Sequence, residues 1–368
     1  MDNKETNSLT SYEITFTLLG SIIGIYLLKA AGDVTKNAHQ DGWISMLLGG
    51  LYPLYIVFIA SYIIKKHPKD NILTLSKKYL GTIIGKTLNF IFLLQFLFYL
   101  TFLIASIIKM LGTYKISFLP PIKTTFVIVT VGAYAASKGI KTIAKVNVVV
   151  FYFLLFLIIL SFIPLRDGSS FNIMPVGGSG MINIFKGLGA SFQSYNAIEV
   201  ILLMHPFAQK NVSVKNAALK AVFLVSIIYT WFIFITIFYL GTDLIPKSFW
   251  PSIMVFQSIH IPLINNFVTV FMLLWTAIFL KSISNQYFFV TFILMDFIKI
   301  KIKKICLFIW PVVVYMSLLF SKEPKYSEYF SSLAIYILIF NLSYVTIIAL
   351  LIFLKQNKVK NPIETAIK

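Results

Sequence analysis

The first long apolar run of the chain, Tyr12–Ala31, reads YEITFTLLGSIIGIYLLKAA and has Gly20-Ser21-Ile22-Ile23-Gly24 near its middle. A run of about 20 mostly apolar residues has the length of a membrane-spanning helix. Two glycines four residues apart at that depth have two interpretations. They indicate either close packing against another helix or an interruption of the helix itself.

A second apolar run, Ile182–Pro206, has a similar composition in the other half of the chain. It contains Gly187-Leu188-Gly189-Ala190-Ser191, followed by the polar residues Gln193, Ser194, Tyr195 and Asn196. Because matching interruptions in two halves of a chain are typical of transporter binding sites, the recurrence favours interrupted helices at both places.

The composition as a whole is that of a membrane protein. Hydrophobic residues make up 58% of the chain, charged residues 12%, and the mean hydropathy is +0.85, whereas soluble domains carry about 25% charged residues. We therefore predict an all-α membrane protein, with residues 1–368 forming a single transmembrane domain of about ten transmembrane helices. The predicted spans are Tyr12–Ala31, Gly42–Ile64, Leu88–Leu111, Phe118–Ala136, Val146–Ile163, Ile182–Pro206, Ala221–Leu240, Phe267–Leu294, Ile305–Phe320 and Leu333–Leu354.

The distribution of positive charge predicts the orientation. The net charge is +19, but the lysines lie in short loops between apolar runs rather than along one face, which argues against nucleic acid as a partner. With the N-terminus inside, roughly two thirds of the basic residues are cytoplasmic, so both termini are predicted to be cytoplasmic. Span 1 then runs outward and span 6 inward. We predict two inverted five-helix repeats, at about residues 8–165 and 180–356, with discontinuous helices 1 and 6.

Such interrupted helices predict a ligand site near the middle of the membrane. An outer half-helix that starts near Gly24 would direct its backbone N–H groups at the site, which suits a carboxylate. The freed carbonyl groups would suit an ammonium group or a cation.

Two charged residues lie inside predicted spans, Glu199 in span 6 and Lys281 in span 8. An unpaired charge at the centre of the bilayer costs about 2.5–3.5 kcal/mol on insertion scales. One hypothesis is that Lys281 places its ammonium group where related transporters hold a sodium ion, with Glu199 or freed carbonyls of span 1 as acceptors. The alternative is a purely structural buried ion pair.

Three further segments have local interpretations. Asp41 is predicted to cap the helix of span 2, and Trp43 to anchor it at the membrane interface. Lys77–Lys86 predicts a short cytoplasmic helix before span 3. The outer segment Gly241–Pro262 is either a re-entrant or lid-like helix or an ordinary surface loop.

Motifs for metal, cofactor or enzyme chemistry are missing from the sequence. His39, His67, His205 and His260 are scattered without metal-ligand spacing, so no metal is predicted. Neither a phosphate-binding loop nor a nucleophile elbow occurs, so we predict no cofactor and no enzyme activity.

Five short motifs occur along the chain in a characteristic order and spacing: Gly20-Ser21-Ile22-Ile23-Gly24, Asp41-Gly42-Trp43-Ile44-Ser45, Lys138-Gly139-Ile140-Lys141-Thr142-Ile143-Ala144-Lys145, Tyr195-Asn196-Ala197-Ile198-Glu199 and Trp275 to Lys281. Together they resemble the B subunit, the permease-like subunit, of the spore germinant receptors. This family lies within the amino acid–polyamine–organocation superfamily, and the resemblance extends over about Ser8–Leu354. The chain departs from the family pattern at Gly42, Ala197, Lys138 and Lys145, where the family often has Ala, Gly, Arg and Arg.

The resemblance implies a small nutrient ligand, most often an amino acid, and assembly with the A subunit and the C-subunit lipoprotein of the germinant receptor. It also implies a location in the spore inner membrane, with lipid around the chain. The implied ligand site comprises Gly20 to Gly24 and Gly187 to Ser191. Phe98 and Tyr99 of span 3, and Trp275 and Thr276 of span 8, are its implied walls, with a lipid-facing position as the alternative for the span 3 pair.

Two functions compete at this stage. One is a nutrient-sensing receptor subunit, in which ligand binding shifts a conformational equilibrium that partner subunits detect. The other is an autonomous secondary amino-acid transporter coupled to protons or sodium. A membrane scaffold without a ligand would leave the two interrupted helices and the two buried charges unexplained.

Overall fold

The computed structural model describes residues 8–114, 120–259, 267–322 and 325–365. In this part of the chain the structure is helical, apart from loops and one isolated bridge between Leu9 and Ala208. The α-helices are α1 (Ser11–Ile22), α2 (Tyr26–Ala38), α3 (Gly42–Gly49), α4 (Leu51–Lys66), α5 (Ile72–Leu80), α6 (Thr82–Thr113), α7 (Pro121–Ser137), α8 (Ile140–Leu160), α9 (Met181–Ser194), α10 (Ile201–Met204), α11 (Val214–Leu244), α12 (Pro251–Gln257), α13 (Phe267–Leu294), α14 (Ile302–Lys322) and α15 (Lys325–Thr365).

Among the described residues, 7 helical segments are long and apolar enough to cross a membrane. One of them, Tyr26–Lys66, runs continuously through α2, α3 and α4. The other six correspond to predicted spans 3, 5, 7, 8, 9 and 10. Of the other predicted spans, 1 and 6 are interrupted, and span 4 is α7 with 17 residues. Its predicted start, Phe118, lies outside the described residues. The all-helical membrane fold is confirmed, and the count of ten stays a prediction.

The predicted interruption of span 1 is confirmed, and it separates the roles of the two glycines. Helix α1 begins at a capping box formed by Thr10 and Glu13 and ends at Ile22, where Ile23 turns to an extended backbone (φ −74°, ψ 108°). Gly24 lies in the gap before α2. Gly20 lies inside α1, and a Cβ atom there would come within 1.8 Å of the Asn147 side chain. Gly20 is therefore a packing glycine, and Gly24 belongs to the break.

Span 6 is also interrupted, but not where the glycines predict. Helix α9 continues to Ser194, and the chain then bends at Ala197, whose φ of 74° is left-handed. Of the predicted interruption, the glycine part is wrong, because Gly187-Leu188-Gly189 lies inside α9, whereas Tyr195 and Asn196 of the polar stretch lie at the break. A Cβ atom on Gly187 would lie 2.6 Å from Ser45 Oγ and 3.1 Å from Ala38 Cβ, so this glycine lets α9 pack closely against α2 and α3.

The two interrupted spans lie side by side and run in opposite directions. At one end, Leu9 before α1 donates its N–H to the Phe207 carbonyl (2.7 Å) and accepts from the Gln209 N–H (3.0 Å) after α10. At the other end, Gly187 of α9 meets Ala38 at the end of α2. The start of span 1 therefore meets the end of span 6, as inverted halves require. The bounds of the two repeats stay a prediction.

Two local predictions need correction. Asp41 makes no cap bond to its own helix. It is buried, and its carboxylate accepts from the Gly177 N–H (2.7 Å) and the Ser179 N–H (2.9 Å), which ties down the loop before α9. The short helix before span 3 is α5, which ends at Leu80 because Gly81 is left-handed (φ 84°), so Lys86 already belongs to α6.

The outer segment Gly241–Pro262 contains a helix rather than only a loop. Helix α12 buries Pro251, Ile253 and Phe256. Thr236 of α11 and Ser252 of α12 share a hydrogen bond of 3.2 Å, and Ser252 donates to the Leu27 carbonyl of α2 (3.3 Å). The helical interpretation is therefore correct for α12, whereas residues 260–262 lie outside the described residues.

The contrast between Gly187 and Gly189 provides a test of helix packing. Gly187→Ala should lower the unfolding midpoint of the purified protein, because overpacking typically costs about 1–3 kcal/mol. Gly189→Ala should leave it unchanged or raise it, since a Cβ atom there meets nothing within 4 Å and Ala is favoured over Gly inside a helix by about 1 kcal/mol. Thermal unfolding in detergent measures both. Equal effects would contradict the packing described for α9.

Candidate functional site

Lys281 projects from α13 toward the break in span 1. The side chain is buried, and its Nζ donates to the Ile23 carbonyl oxygen at 3.1 Å. Ser282 Oγ donates to the same oxygen at 2.9 Å. The carbonyl group that the helix releases at Ile23 is therefore satisfied by an ammonium group and a hydroxyl from span 8. This is one of the two acceptors that the sequence left open.

A network of hydrogen-bonded amide and hydroxyl groups extends from this contact toward span 5. Asn147 of α8 and Asn285 of α13 form a reciprocal amide pair, with donor–acceptor distances of 2.7 and 3.0 Å. Asn285 Nδ2 also donates to Ser21 Oγ (3.3 Å), which donates to the Thr17 carbonyl (2.8 Å). Because every amide atom of this pair has a partner, the inner edge of the break is firmly held.

Glu199 lies just after the break in span 6 and belongs to a different contact. Its Oε1 accepts from the Tyr52 hydroxyl group of α4, and its Oε2 is buried without a hydrogen-bond partner among the described residues. Glu199 and Lys281 are both described, and no ion pair joins them. The alternative of a purely structural ion pair between these two residues is therefore wrong.

Four buried tyrosines fill the space around the two breaks. The rings of Tyr26, at the start of α2, and Tyr99 of α6 stack with centroids 6.3 Å apart. The rings of Tyr195, just after α9, and Tyr229 of α11 lie 5.4 Å apart. The Tyr229 hydroxyl donates to the Ile22 carbonyl (3.3 Å), and the Tyr195 hydroxyl donates to the carbonyl of Met46 (3.0 Å). The centre of the molecule is therefore compact.

Two cavities are named outer and inner after the predicted orientation, in which both termini are cytoplasmic. The outer cavity, of about 40 Å³, reaches the start of α2 from one side of the tyrosine pair. Its lining combines cationic and aromatic groups: Tyr26, Lys29, Phe102, Lys109, Phe249, Trp250 and Phe320 contribute to it. Lys29 pairs with Asp33 at 3.3 Å. Because one water needs about 10–15 Å³ of such space, this cavity has room for a few water molecules and not for an amino acid.

An inner cavity of about 20 Å³ lies on the other side of the tyrosine pair, against the break in span 6. Its lining is Gln95, Phe96, Tyr99, Asn196, Ala197, Gln286 and Ile337. Since Tyr26 lines the outer cavity and Tyr99 the inner one, their stacked rings stand between the two.

The structure distributes the predicted site residues unevenly. Ser21, Ile22, Ile23 and Gly24 lie at the break of span 1, and Tyr99 lies between the cavities. Gly187, Leu188, Gly189, Ala190 and Ser191 lie inside α9, where Ser191 packs on Gly49.

Phe98, Trp275 and Thr276 line neither cavity. Phe98 packs edge-on against Phe320 at 5.4 Å, because consecutive residues of a helix point about 100° apart. Trp275 stacks on Phe271 at 5.4 Å, and the Thr276 hydroxyl donates to its own helix.

Sequence reasoning missed Tyr52, Asn147, Asn285 and Gln286. A signal for two of them was present in the run Lys281-Ser282-Ile283-Ser284-Asn285-Gln286, which is a strongly polar stretch inside the span of α13. In lipid, such residues face protein or a cavity. Tyr52 and Asn147 stand alone in apolar helices, so their sequence context carries no comparable signal.

The separate partners of the two buried charges predict additivity. The free-energy changes of Lys281→Met and Glu199→Gln should add within about 0.5 kcal/mol in the double variant. Tyr52→Phe with Glu199→Gln is the positive control and should show a coupling above that value, because one hydrogen bond joins the pair. Chemical unfolding of the three single variants and the two double variants measures this. A Lys281–Glu199 coupling as large as the control would contradict the assignment.

Comparison with known proteins agrees with this geometry. The sequence model of the family described as spore germination protein matches residues 8–326. The chain is 22% identical over 276 residues to the spore germination protein GerQB of Bacillus cereus, covering 75% of this chain and 76% of that one. It is 23% identical over 280 residues to the spore germination protein YndE of Bacillus subtilis (strain 168), covering 73% and 76%.

Solved structures share the fold at low sequence identity. MhsT in complex with L-phenylalanine aligns with a TM-score of 0.66 and 14% identity over 92% of this chain and 87% of that one. A Na⁺-coupled sialic acid symporter aligns with a TM-score of 0.65 and 10% identity over 95% and 78%. The architecture is thus that of membrane transporters, and by its sequence the chain belongs to the spore germination protein family.

Proposed function

We propose that the chain is the nutrient-sensing, permease-like subunit of a spore germinant receptor. In this proposal it binds a small nutrient, an amino acid, at the middle of the membrane, and signals to A and C subunits in the spore inner membrane with both termini cytoplasmic. The observation that carries the proposal is the pair of interrupted, oppositely directed helices that lie side by side.

The break in span 1 offers the complement of a carboxylate. Helix α2 begins at Tyr26 without a side-chain cap, so the N–H groups around Gly24 and Tyr26 have no acceptor from a cap residue. These N–H groups and the helix dipole favour an anion. Lys29 and Lys109 in the outer cavity add positive charge along the route. An amino acid would therefore approach from the outer cavity with its carboxylate toward Gly24.

The size of the cavities links binding to signalling. Neither cavity holds an amino acid in the conformation described here. A ligand must therefore select or create a more open arrangement, most directly by separating the Tyr26–Tyr99 stack. A ligand that binds one conformation better shifts the population toward it. Partner subunits in contact with the moving helices would detect that shift.

An autonomous transporter is the second candidate, and the fold shared with the sialic acid symporter favours it. In either case the Lys281 side chain donates to the Ile23 carbonyl, at the place where a transporter of this fold would hold a coupling cation. Uptake of radiolabelled amino acid into proteoliposomes that contain the purified chain alone would support the transporter. Binding without uptake would support the sensor.

Ligand-induced stabilisation tests the proposed site. The unfolding midpoint of the purified protein should rise with one or a few members of a panel of amino acids, sugars and nucleosides, by an amount equivalent to about 2.7 kcal/mol at a hundred times Kd. In Gly24→Trp the rise should disappear, because the indole would occupy the space beside the break.

Gly189→Trp is the matched control, since the same side chain there points into open space on α9. It should bind as the unchanged protein does. A ligand whose effect persists in a folded Gly24→Trp protein would place the site elsewhere and contradict the proposal.

A further inference from the structure

The inner cavity gathers buried polar atoms that have no partner. Gln95 Oε1, Asn196 Oδ1 and both amide atoms of Gln286 are buried without a hydrogen bond among the described residues. All three side chains line the same cavity. They come from three different helices or breaks: α6, the break of span 6 and α13.

This concentration is unusual, because buried polar groups in folded proteins nearly always find a partner. Leaving one unpaired destabilises the protein. Asn285, which precedes Gln286 in α13, behaves differently. Its amide group is fully hydrogen-bonded, to Asn147 and Ser21. The helix therefore places one bonded and one unbonded amide side by side, and only the unbonded one lines the cavity.

The chemistry of the lining defines the group that would fit. Among the described residues that line the cavity, none carries a charge. A primary amide offers both a donor and an acceptor. The complementary group is thus uncharged and also both donates and accepts. A volume of about 20 Å³ fits one such terminal group and not a whole ligand.

We propose that Gln95, Asn196 and Gln286 form a specificity site for the uncharged polar end, a carboxamide or a hydroxyl group, of the nutrient ligand. The inference rests on the proposed function, in which the ligand's carboxylate lies at Gly24 beyond the tyrosine pair. A polar side chain on that ligand reaches the inner cavity once the Tyr26–Tyr99 stack separates.

The first test needs no ligand. Gln286→Met keeps the side-chain length and removes the unpaired amide, so the unfolding midpoint of the unliganded full chain in nanodiscs should rise by about 2 °C. Asn285→Leu, the matched control, should lower the midpoint, because it leaves Asn147 unpaired. A lower midpoint for Gln286→Met would make its amide structural and overturn the proposal.

The second test measures selectivity in the same nanodiscs. The unchanged protein should bind asparagine or glutamine at least tenfold more tightly than leucine or methionine if the group is a carboxamide. It should bind serine or threonine more tightly than alanine or valine, by the same factor, if the group is a hydroxyl. Gln286→Met should abolish that preference while the affinity for the apolar member of the pair changes less than threefold. A preference that survives in Gln286→Met overturns the proposal.

The two tests separate this inference from the function on which it rests. If no amino acid binds the unchanged protein and Gln286→Met still raises the midpoint, the proposed amino-acid ligand is wrong, and the cavity is supported as a binding site for another molecule with such a group. If amino acids bind without any preference for polar side chains, the proposed function stands and the specificity site is wrong.

Discussion

The structure depends on how the carbonyl group of Ile23 is satisfied. A helix that stops inside a membrane releases backbone groups that lipid cannot hydrogen-bond, and each unsatisfied group costs several kcal/mol. Lys281 and Ser282 supply two donors to this oxygen, and Tyr229 supplies one to Ile22. Spans 7 and 8 must therefore pack against span 1 at this depth. The positions of the neighbouring helices follow from that requirement.

The polar groups around the two breaks are hydrogen-bonded to different degrees. At span 1 the amide pair of Asn147 and Asn285 completes a closed network. At span 6 the backbone bends through Ala197 in a left-handed conformation, which costs an L-residue about 1–2 kcal/mol. Near that bend, side-chain amide atoms and one oxygen of Glu199 have no hydrogen-bond partner in the part of the chain that the structure describes. A strained, incompletely bonded break beside a rigid one gives the protein a region whose energy a ligand can lower.

The ends of the interrupted helices are held by hydrogen bonds, and so is the break of span 1, whereas the break of span 6 is not fully bonded among the described residues. Lys141 bonds Glu13 at 2.7 Å at the start of span 1, and the backbone of Leu9 pairs with the chain after α10. At the opposite end, Asp41 holds the loop before α9 through backbone N–H groups. Because both ends are bonded to neighbouring segments, a movement of the helices at the centre would also move the segments bonded to their ends.

The sequence by itself determined the membrane class, the location of the long apolar helices and the interruption of span 1 near Gly24, because the length of an apolar run and the cost of a charge in lipid are local properties. The bounds of α13 match their predicted residues, and Lys281 is buried inside that helix, as its position in the span predicts. The motif order also identified the family. These features need no knowledge of which helix contacts which.

Only the tertiary structure decided which groups meet. Glycine is equally suited to a break and to close packing, so the sequence alone does not decide the role of Gly20 or Gly187. Their packing roles become evident only from the contacts with Asn147 and Ser45, which are far away in the chain. Ala197, which the sequence marked only as a departure from the family pattern, carries the bend instead. Lys281 had two possible acceptors, and the choice of the Ile23 carbonyl over Glu199 depends on the rotation of α13 relative to span 1. Hydrogen-bond partners across a helix bundle are set by packing between distant segments, and local sequence does not encode that geometry.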